Sequence, residues 1–272
     1  MSFPSFDFQD RLAETLYHRY TQMAAKSGEV TLRFYEELND FLPKEGRKRP
    51  FRVRFHDGDT VKAVIESLGV PHTEVDLVLV DGQSVPFDRQ VVEGNQISVY
   101  PVFESLEIGG LTKVRPMGLR QSSFVLDVHL GRLARLLRML GFDSLYSNAF
   151  DDGDLSRISH EHRRIVLTRD RELLKRTIIS HGYWIRSDQP LEQLIEVLQR
   201  FDLRTKIRPF TRCLRCNALL KDVDTAKVVS SVPPYVARTY DRFRTCPECG
   251  RVYWQGSHWE SMRRFLEVKI SL

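Results

Sequence analysis

The chain has 272 residues, 42% hydrophobic and 28% charged, an ordinary globular balance with room for two domains and a smaller module. No apolar run approaches the roughly 20 residues that span a bilayer. The opening MSFPSFDFQDRLAETLYHRY carries acids and lacks an apolar h-region, so the expectation is a membrane-free protein of the reducing cytoplasm. The net charge of +5 hides an asymmetry: residues 1–111 hold 12 Lys/Arg against 18 Asp/Glu, net −6, and residues 112–272 hold 29 against 18, net +11. A basic C-terminal part points to a polyanion, with nucleic acid favoured over a merely solvated surface.

Within residues 1–28, Leu12, Leu16 and Tyr20 recur every four residues and predict an amphipathic helix over 7–26. Residues 29–103 read as the first domain. EVTLRFYEEL and FRVRFHDGDT alternate as a strand pair, with Phe51, Val53 and Phe55 on one face and Arg52 and Arg54 on the other. TVKAVIESLGV has helical period and a Gly69 stop. VDLVLVDGQSV is a strand, a DG turn and a second strand, and QISVYPV is the last strand. This order resembles the β-grasp, ubiquitin-like fold, most closely the small sulfur-carrier proteins of thiamin and molybdopterin synthesis. Those carriers act through a free C-terminal Gly-Gly. Here Gly109-Gly110 is followed by 162 further residues, so the pair reads as part of a linker over 104–122. A domain of this kind could instead serve as an adaptor that recruits a protein partner.

From 123 to 206 strands and helices alternate: a strand at Phe124–Asp127, a helix over 129–140, a strand at 144–147, a helix over 152–160, a strand at 164–167, a helix over 170–177, a strand at 183–187, then the helical PLEQLIEVLQRF. Alternating βα units predict a parallel sheet covered by helices on both faces. In such a sheet all strand C-termini share one edge, where ligands bind at the point where the strand order reverses. Asp127 ends the first strand; Asp151, Asp152 and Asp154 follow the second; Asp170 follows the third and Asp188 the fourth.

Each acid also has the plainer role of helix N-cap, which suits Asp188, Asp151 and Asp154. Gathered together, however, carboxylates repel unless a cation neutralises them, and hard oxygen ligands suit Mg²⁺ or Mn²⁺. Such ions support phosphodiester hydrolysis. On the following helix Leu130, Leu133, Ala134, Leu137 and Leu140 form a buried stripe. Arg132, Arg135 and Arg138 are expected opposite it, and Arg169 and Arg171 flank Asp170. These arginines suit phosphate, or simply pair with the acids.

LDVHLGRLARLLRMLGFD, DDGDL, RRIVLTRDREL and the trailing cysteine pairs together resemble the Mut-seven C-terminal RNase domain, a branch of the PIN-like nucleases, over about 124–265. The ubiquitin-like domain in front resembles the two-domain form of that family. The resemblance implies a metal-dependent ribonuclease whose acids fall on Asp127, on Asp152 within DDGD and on Asp170 of TRD. Asp151 and Asp154 compete for the second place, and Asp188 is the candidate fourth acid. The fold class expected is α/β: a β-grasp ubiquitin-like domain, a PIN-like parallel sheet and a C-terminal zinc ribbon.

The zinc expectation rests on residues 207–272. CLRC at 213–216 and CPEC at 246–249 use every cysteine in the chain. Four thiolates, Cys213, Cys216, Cys246 and Cys249, suffice for a closed tetrahedral Zn²⁺ site with a structural role. The 29 residues between the knuckles predict a ribbon with a long inserted hairpin. In RVYWQGSHWESMRR, Tyr253, Trp254, His258 and Trp259, with Arg251, Arg263 and Arg264, could stack on unpaired bases or pack on the ribbon. His129 and His258 are minor candidates for proton transfer. The leading expectation is a ribonuclease acting on RNA. The alternative is a non-catalytic RNA-binding protein, associated with the ribosome or tRNA, whose acids only cap helices and bind one structural ion.

Overall fold

A computed structural model describes residues 27–101, 112–114 and 122–270. The helix expected over 7–26 and the Gly109-Gly110 pair lie outside them. The chain divides into two compact units, one holding the first two described stretches and the other the third. Among the described residues no helix is long and apolar enough to cross a membrane.

In the first unit β1 (Ser27–Phe34) pairs antiparallel with β2 (Phe51–His56), with Val30 opposite Val53. Helix α1 (Val61–Ser67) starts at Thr60, whose Oγ1 accepts the Ala63 N–H at 3.2 Å. Then come β3 (Val75–Val80), β4 (Gln83–Ser84) and β5 (Gln96–Pro101), in the sheet order β2-β1-β5-β3-β4. β1 lies parallel to β5, and the other pairings are antiparallel. Asp81 and Gly82 both have positive φ, 49° and 81°, as the tight turn between β3 and β4 requires. Alternate residues of β1 are buried at Val30, Leu32 and Phe34, and α1 buries Val61, Val64 and Ile65. This mixed sheet, with one α-helix among the described residues, is the expected β-grasp.

The second unit opens with β6 (Phe124–Leu126), a 3-10 turn over Val128–Leu130 and α2 (Gly131–Met139). It continues through β7 (Ser144–Tyr146), α3 (Asp152–His162), β8 (Ile165–Thr168), α4 (Arg171–Leu174), β9 (Gly182–Trp184) and α5 (Pro190–Arg200). The four strands are parallel in the order β7-β6-β8-β9. Both faces are dry, as a parallel sheet demands. Phe124 and Leu126 meet α2 and α5 on one side, while Val125 and Val166 meet Leu155, Ile158, Leu173 and Leu174 of α3 and α4 on the other. α4 ends at Leu174, short of the expected 177. Thr177-Ile178-Ile179 follow, and a run of β-branched side chains disfavours helix; Ile179 is buried in the core instead.

Gly141 follows α2 at φ +94°, and a Cβ there would stand 2.1 Å from the Arg208 carbonyl oxygen. Only glycine permits both the left-handed turn and that approach. The chain at 208–210 uses the approach to hydrogen-bond the last carbonyls of the helix, Arg208 N to Leu140 O and Phe210 N to Met139 O, both 2.9 Å.

The remainder is the ribbon: β10 (Lys221–Val223), α6 (Thr225–Val228), α7 (Pro234–Thr239), β11 (Phe243–Thr245) and β12 (Val252–Trp254), with antiparallel order β10-β11-β12. The insert between the knuckles is thus an antiparallel strand pair whose connection carries two short helices, packed around Val228, Val232, Val236 and Phe243. Helix α8 (Ser257–Ile270) then returns Leu266 to the core of the parallel sheet.

Candidate active site and metal centre

The sheet order reverses between β6 and β8, and two of the expected acids flank that point. Asp127 follows β6 and Asp170 follows β8, and Leu126 lies opposite Leu167 in parallel register. The Asp127 N–H donates to Leu167 O at 3.1 Å, continuing the ladder past the strand end. Between the acids stands Thr168, fully buried as the last residue of β8. Its hydroxyl donates to Asp127 Oδ2 at 2.7 Å, and its Oγ1 accepts the Asp170 N–H at 2.9 Å. Asp170 also caps α4, its Oδ1 accepting the Glu172 N–H at 2.8 Å. Neither carboxylate has a cationic partner among the described residues.

The other acids stand differently. Asp151 caps α3 as expected, with Oδ1 accepting the Asp154 N–H at 2.7 Å, whereas Asp154 lies inside the first turn and caps nothing. Asp152 is exposed and accepts from Arg176 Nη2 at 3.0 Å. Asp154 pairs with Arg157 at 3.2 Å. Asp188 is exposed and contacts only the Gln189 side chain among the described residues, at 3.2 Å. The N-cap of α5 is Gln189, so the capping role expected for Asp188 is absent. Among the described residues no three carboxylates lie close enough to share one ion; the cysteine quartet is the one such group of ligands. The structure therefore joins Asp127 to Asp170 and leaves Asp152, Asp154 and Asp188 apart from them.

Of the expected phosphate contacts, Arg132 and Arg135 lie exposed on α2. Arg169 is exposed and donates to Ser187 O at 2.9 Å. Arg138 is a correction: it is 4% exposed, not on the solvent face. Leu130, Ala134 and Arg138 recur every four residues, which puts the arginine in line with the buried stripe. Its Nε donates to Ser144 O at 2.9 Å, and its Nη1 to Leu214 O and Arg215 O at 3.3 and 2.7 Å. Burial lowers its pKa below the usual arginine value. Arg138 pins the first cysteine knuckle to the sheet and is closed to a surface ligand.

Asp143, an acid with no expected role, completes that pin at the amino edge of the sheet, the edge opposite Asp127 and Asp170. Arg164 Nη1 donates to its Oδ1 at 2.6 Å, Asn217 Nδ2 to the same oxygen at 2.7 Å, and Arg212 stands 3.5 Å from Oδ2. Burial pushes this carboxyl up, but the hydrogen bonds from Arg164 and Asn217 and the charges of Arg164 and Arg212 prevail, leaving it below the usual carboxylate range. Asn217 also accepts the Ser144 N–H at 2.9 Å. The partners lie 21 and 74 residues away in sequence, so no local signal marks Asp143. Thr168 does stand within the quoted TRD motif, two residues before an acid, a spacing typical of hydroxyl-to-backbone turns.

The four cysteine sulfurs all lie within 4.8 Å of one another. Cys213 Sγ is 3.6 Å from Cys249 Sγ, and Cys216 Sγ is 3.3 Å from Cys246 Sγ. These separations are far longer than the roughly 2 Å of a disulfide and close to the roughly 3.8 Å that tetrahedral ligands about 2.3 Å from one zinc would show. Burial pushes the Cys213 thiol up, yet hydrogen bonds from the Tyr253 hydroxyl and the N–H groups of Cys216 and Arg215 bring it down to about 6. Cys216 is pushed up to about 12 by burial and by the neighbouring thiols. One thiolate among crowded thiols is a donor set for a soft-tolerant cation, and the quartet fits zinc. Tyr253 is committed to this site, its hydroxyl 3.1 Å from Cys213 Sγ. Trp254 packs on Phe243, while His258 remains exposed and Trp259 half-buried against Phe210.

The family model described as Mut7-C RNAse domain matches residues 122–266, and that described as Mut7-C ubiquitin matches residues 27–107. No curated protein matches the sequence. With the parallel sheet, its paired acids and the cysteine quartet all inside the first match, and that match spanning more than half of the chain, the protein belongs to the Mut7-C RNAse domain family, with a Mut7-C ubiquitin domain ahead of the nuclease-like one.

Proposed function

We propose that the chain is a metal-dependent ribonuclease that hydrolyses RNA phosphodiester bonds at the carboxyl edge between β6 and β8. The supporting observation is the Asp127–Thr168–Asp170 bridge at the switch point of the sheet. Thr168 occupies Oδ2 of Asp127, and the α4 cap occupies Oδ1 of Asp170. One oxygen of each carboxylate is left without a partner among the described residues, a donor set that suits Mg²⁺ or Mn²⁺. Such an ion, when bound, activates water and neutralises developing phosphate charge. Asp127 and Asp170 would hold it, joined by Asp152 once Arg176 releases that carboxylate; Asp154 and Asp188 are further acids on the same edge. Arg132, Arg135 and Arg169 orient the phosphates. Zinc in the cysteine quartet is structural, since four thiolates leave no open position. The ubiquitin-like domain is read as the contact for a protein partner.

The hold of Arg176 on Asp152 favours the second reading, an RNA-binding protein without catalysis. Single-turnover cleavage of labelled RNA in Mg²⁺ or Mn²⁺ separates the two. Asp170→Asn keeps the helix cap and the fold, and its cleavage should fall by about 10²–10³-fold. Equal rates for parent and variant, or no metal-dependent cleavage by the parent, would support the binding-protein reading.

A further inference from the structure

A groove of about 1040 Å³ runs between Arg135 of α2, Phe210, the face of the ribbon sheet and the first turn of α8. It exceeds the roughly 300–1,000 Å³ typical of small-molecule pockets. Six cationic side chains line it against three carboxylates. Arg244 is spent on Asp222 at 2.8 Å, and Arg212 on Asp143 and on backbone carbonyls. Arg135, Lys227, Arg242 and Arg251 have no ion pair or side-chain hydrogen bond among the described residues, and all four are exposed. Trp259, half-buried on Phe210, and exposed His258 add ring faces to the lining.

We propose that this groove is a binding track for single-stranded RNA, distinct from the acid edge and joined to it by helix α2; the choice of RNA rests on the nuclease reading. Free cations in a concave, aromatic-lined channel match a strand whose phosphates and unstacked bases are both reachable. A duplex hides its base faces and offers only a convex backbone. Arg132 and Arg135, three residues apart, share one exposed face of α2. That face starts at Arg132, beyond the turn that follows Asp127, and reaches the groove at Arg135, about 4.5 Å further along the helix axis. A strand held in the groove would therefore lead toward Asp127 and Asp170 past two guanidinium groups.

The test is fluorescence anisotropy of the full chain with a labelled 12-nucleotide oligouridylate, without added Mg²⁺ or Mn²⁺, the oligomer's length being checked afterwards. Arg242→Gln with Arg251→Gln should weaken binding at least fivefold and reduce the slope of log affinity against log salt by about 1.4, two phosphate contacts at about 0.7 each. Arg163→Gln with Arg204→Gln, which removes equal charge outside the groove, should change neither. Crosslinks from 4-thiouridine RNA should map to residues 251–262. Equal effects from the two pairs, no effect from the first, or a duplex that binds as tightly through the same arginines would overturn the proposal. If Asp170→Asn abolishes cleavage while the groove pair leaves affinity unchanged, the groove fails and the nuclease reading stands. If the groove pair behaves as expected but the parent never cuts, the nuclease reading fails and the groove stands.

Discussion

Thr168 and Asp127, at the ends of neighbouring parallel strands, share a 2.7 Å hydrogen bond whose donor oxygen also accepts the Asp170 N–H. A single buried hydroxyl thereby sets the spacing of the two acids at the switch point. Thr168→Val keeps the shape and removes both bonds. It leaves the Asp170 N–H without its acceptor, at a cost of about 1–3 kcal/mol. Cleavage should fall about 10–100-fold and demand more Mn²⁺, as when a supporting residue of a metal site is lost. Thr168→Ser should retain most of the activity. A Mn²⁺ titration of cleavage for both variants, beside their denaturant midpoints, checks this; parental Mn²⁺ dependence in the valine variant would remove Thr168 from the site.

Arg138 and Arg135 sit three residues apart on one helix with opposite fates. Arg138→Met strips hydrogen bonds from the carbonyls of Ser144, Leu214 and Arg215, and should destabilise the second unit by about 3 kcal/mol. The salt dependence of RNA binding should not change. Arg135→Gln should be nearly neutral for stability and lower the salt slope by about 0.7. Urea unfolding and binding at several salt concentrations distinguish the two; a lowered salt slope in folded Arg138→Met would contradict its assignment as a pin.

Asp143 gives the pH prediction. Its folded-state pKa lies below the ordinary carboxylate value, so its stabilisation is fully present above about pH 4, the unfolded aspartate value. It is lost as pH falls through the lowered folded value. Asp143→Asn should cost about 2 kcal/mol at pH 7, and the gap between parent and variant should close below about pH 4. Unfolding midpoints at pH 7, 5, 4 and 3 measure it; a gap that persists at the lowest pH would mean that the ionised carboxylate is not the stabilising form.

Cys246→Ser removes one of two buried thiols of the quartet. Purified parent should carry about one zinc per chain and the variant markedly less, with the ribbon opened, because metal binding at such sites is coupled to folding. Elemental analysis and limited proteolysis of residues 207–272 report both effects. A zinc-free parent with an intact ribbon would show that the knuckles stand without metal.

Much of the fold follows from patterns confined to short stretches of sequence. Alternating strands and helices after residue 123 demand a parallel sheet, and a parallel sheet sends the residues after every strand to one edge. Asp127 and Asp170 were therefore legible as edge acids, and the two CxxC pairs as one four-thiol centre. What the pattern cannot carry is which acids meet. Strand order decides that: β6 and β8 are neighbours although β7 lies between them in sequence, so Thr168 reaches Asp127 while Asp152 turns to Arg176. The period of Leu130, Ala134 and Arg138 points inward at Arg138, but its charge points to solvent, and burial wins only because distant carbonyls accept its protons. Those carbonyls come from a knuckle 76 and 77 residues away, and the Asp143 cluster and the ribbon groove likewise bring together segments far apart in the chain. Side-chain chemistry and local period are properties of the sequence; the partner that each charge finds is settled only when remote segments pack.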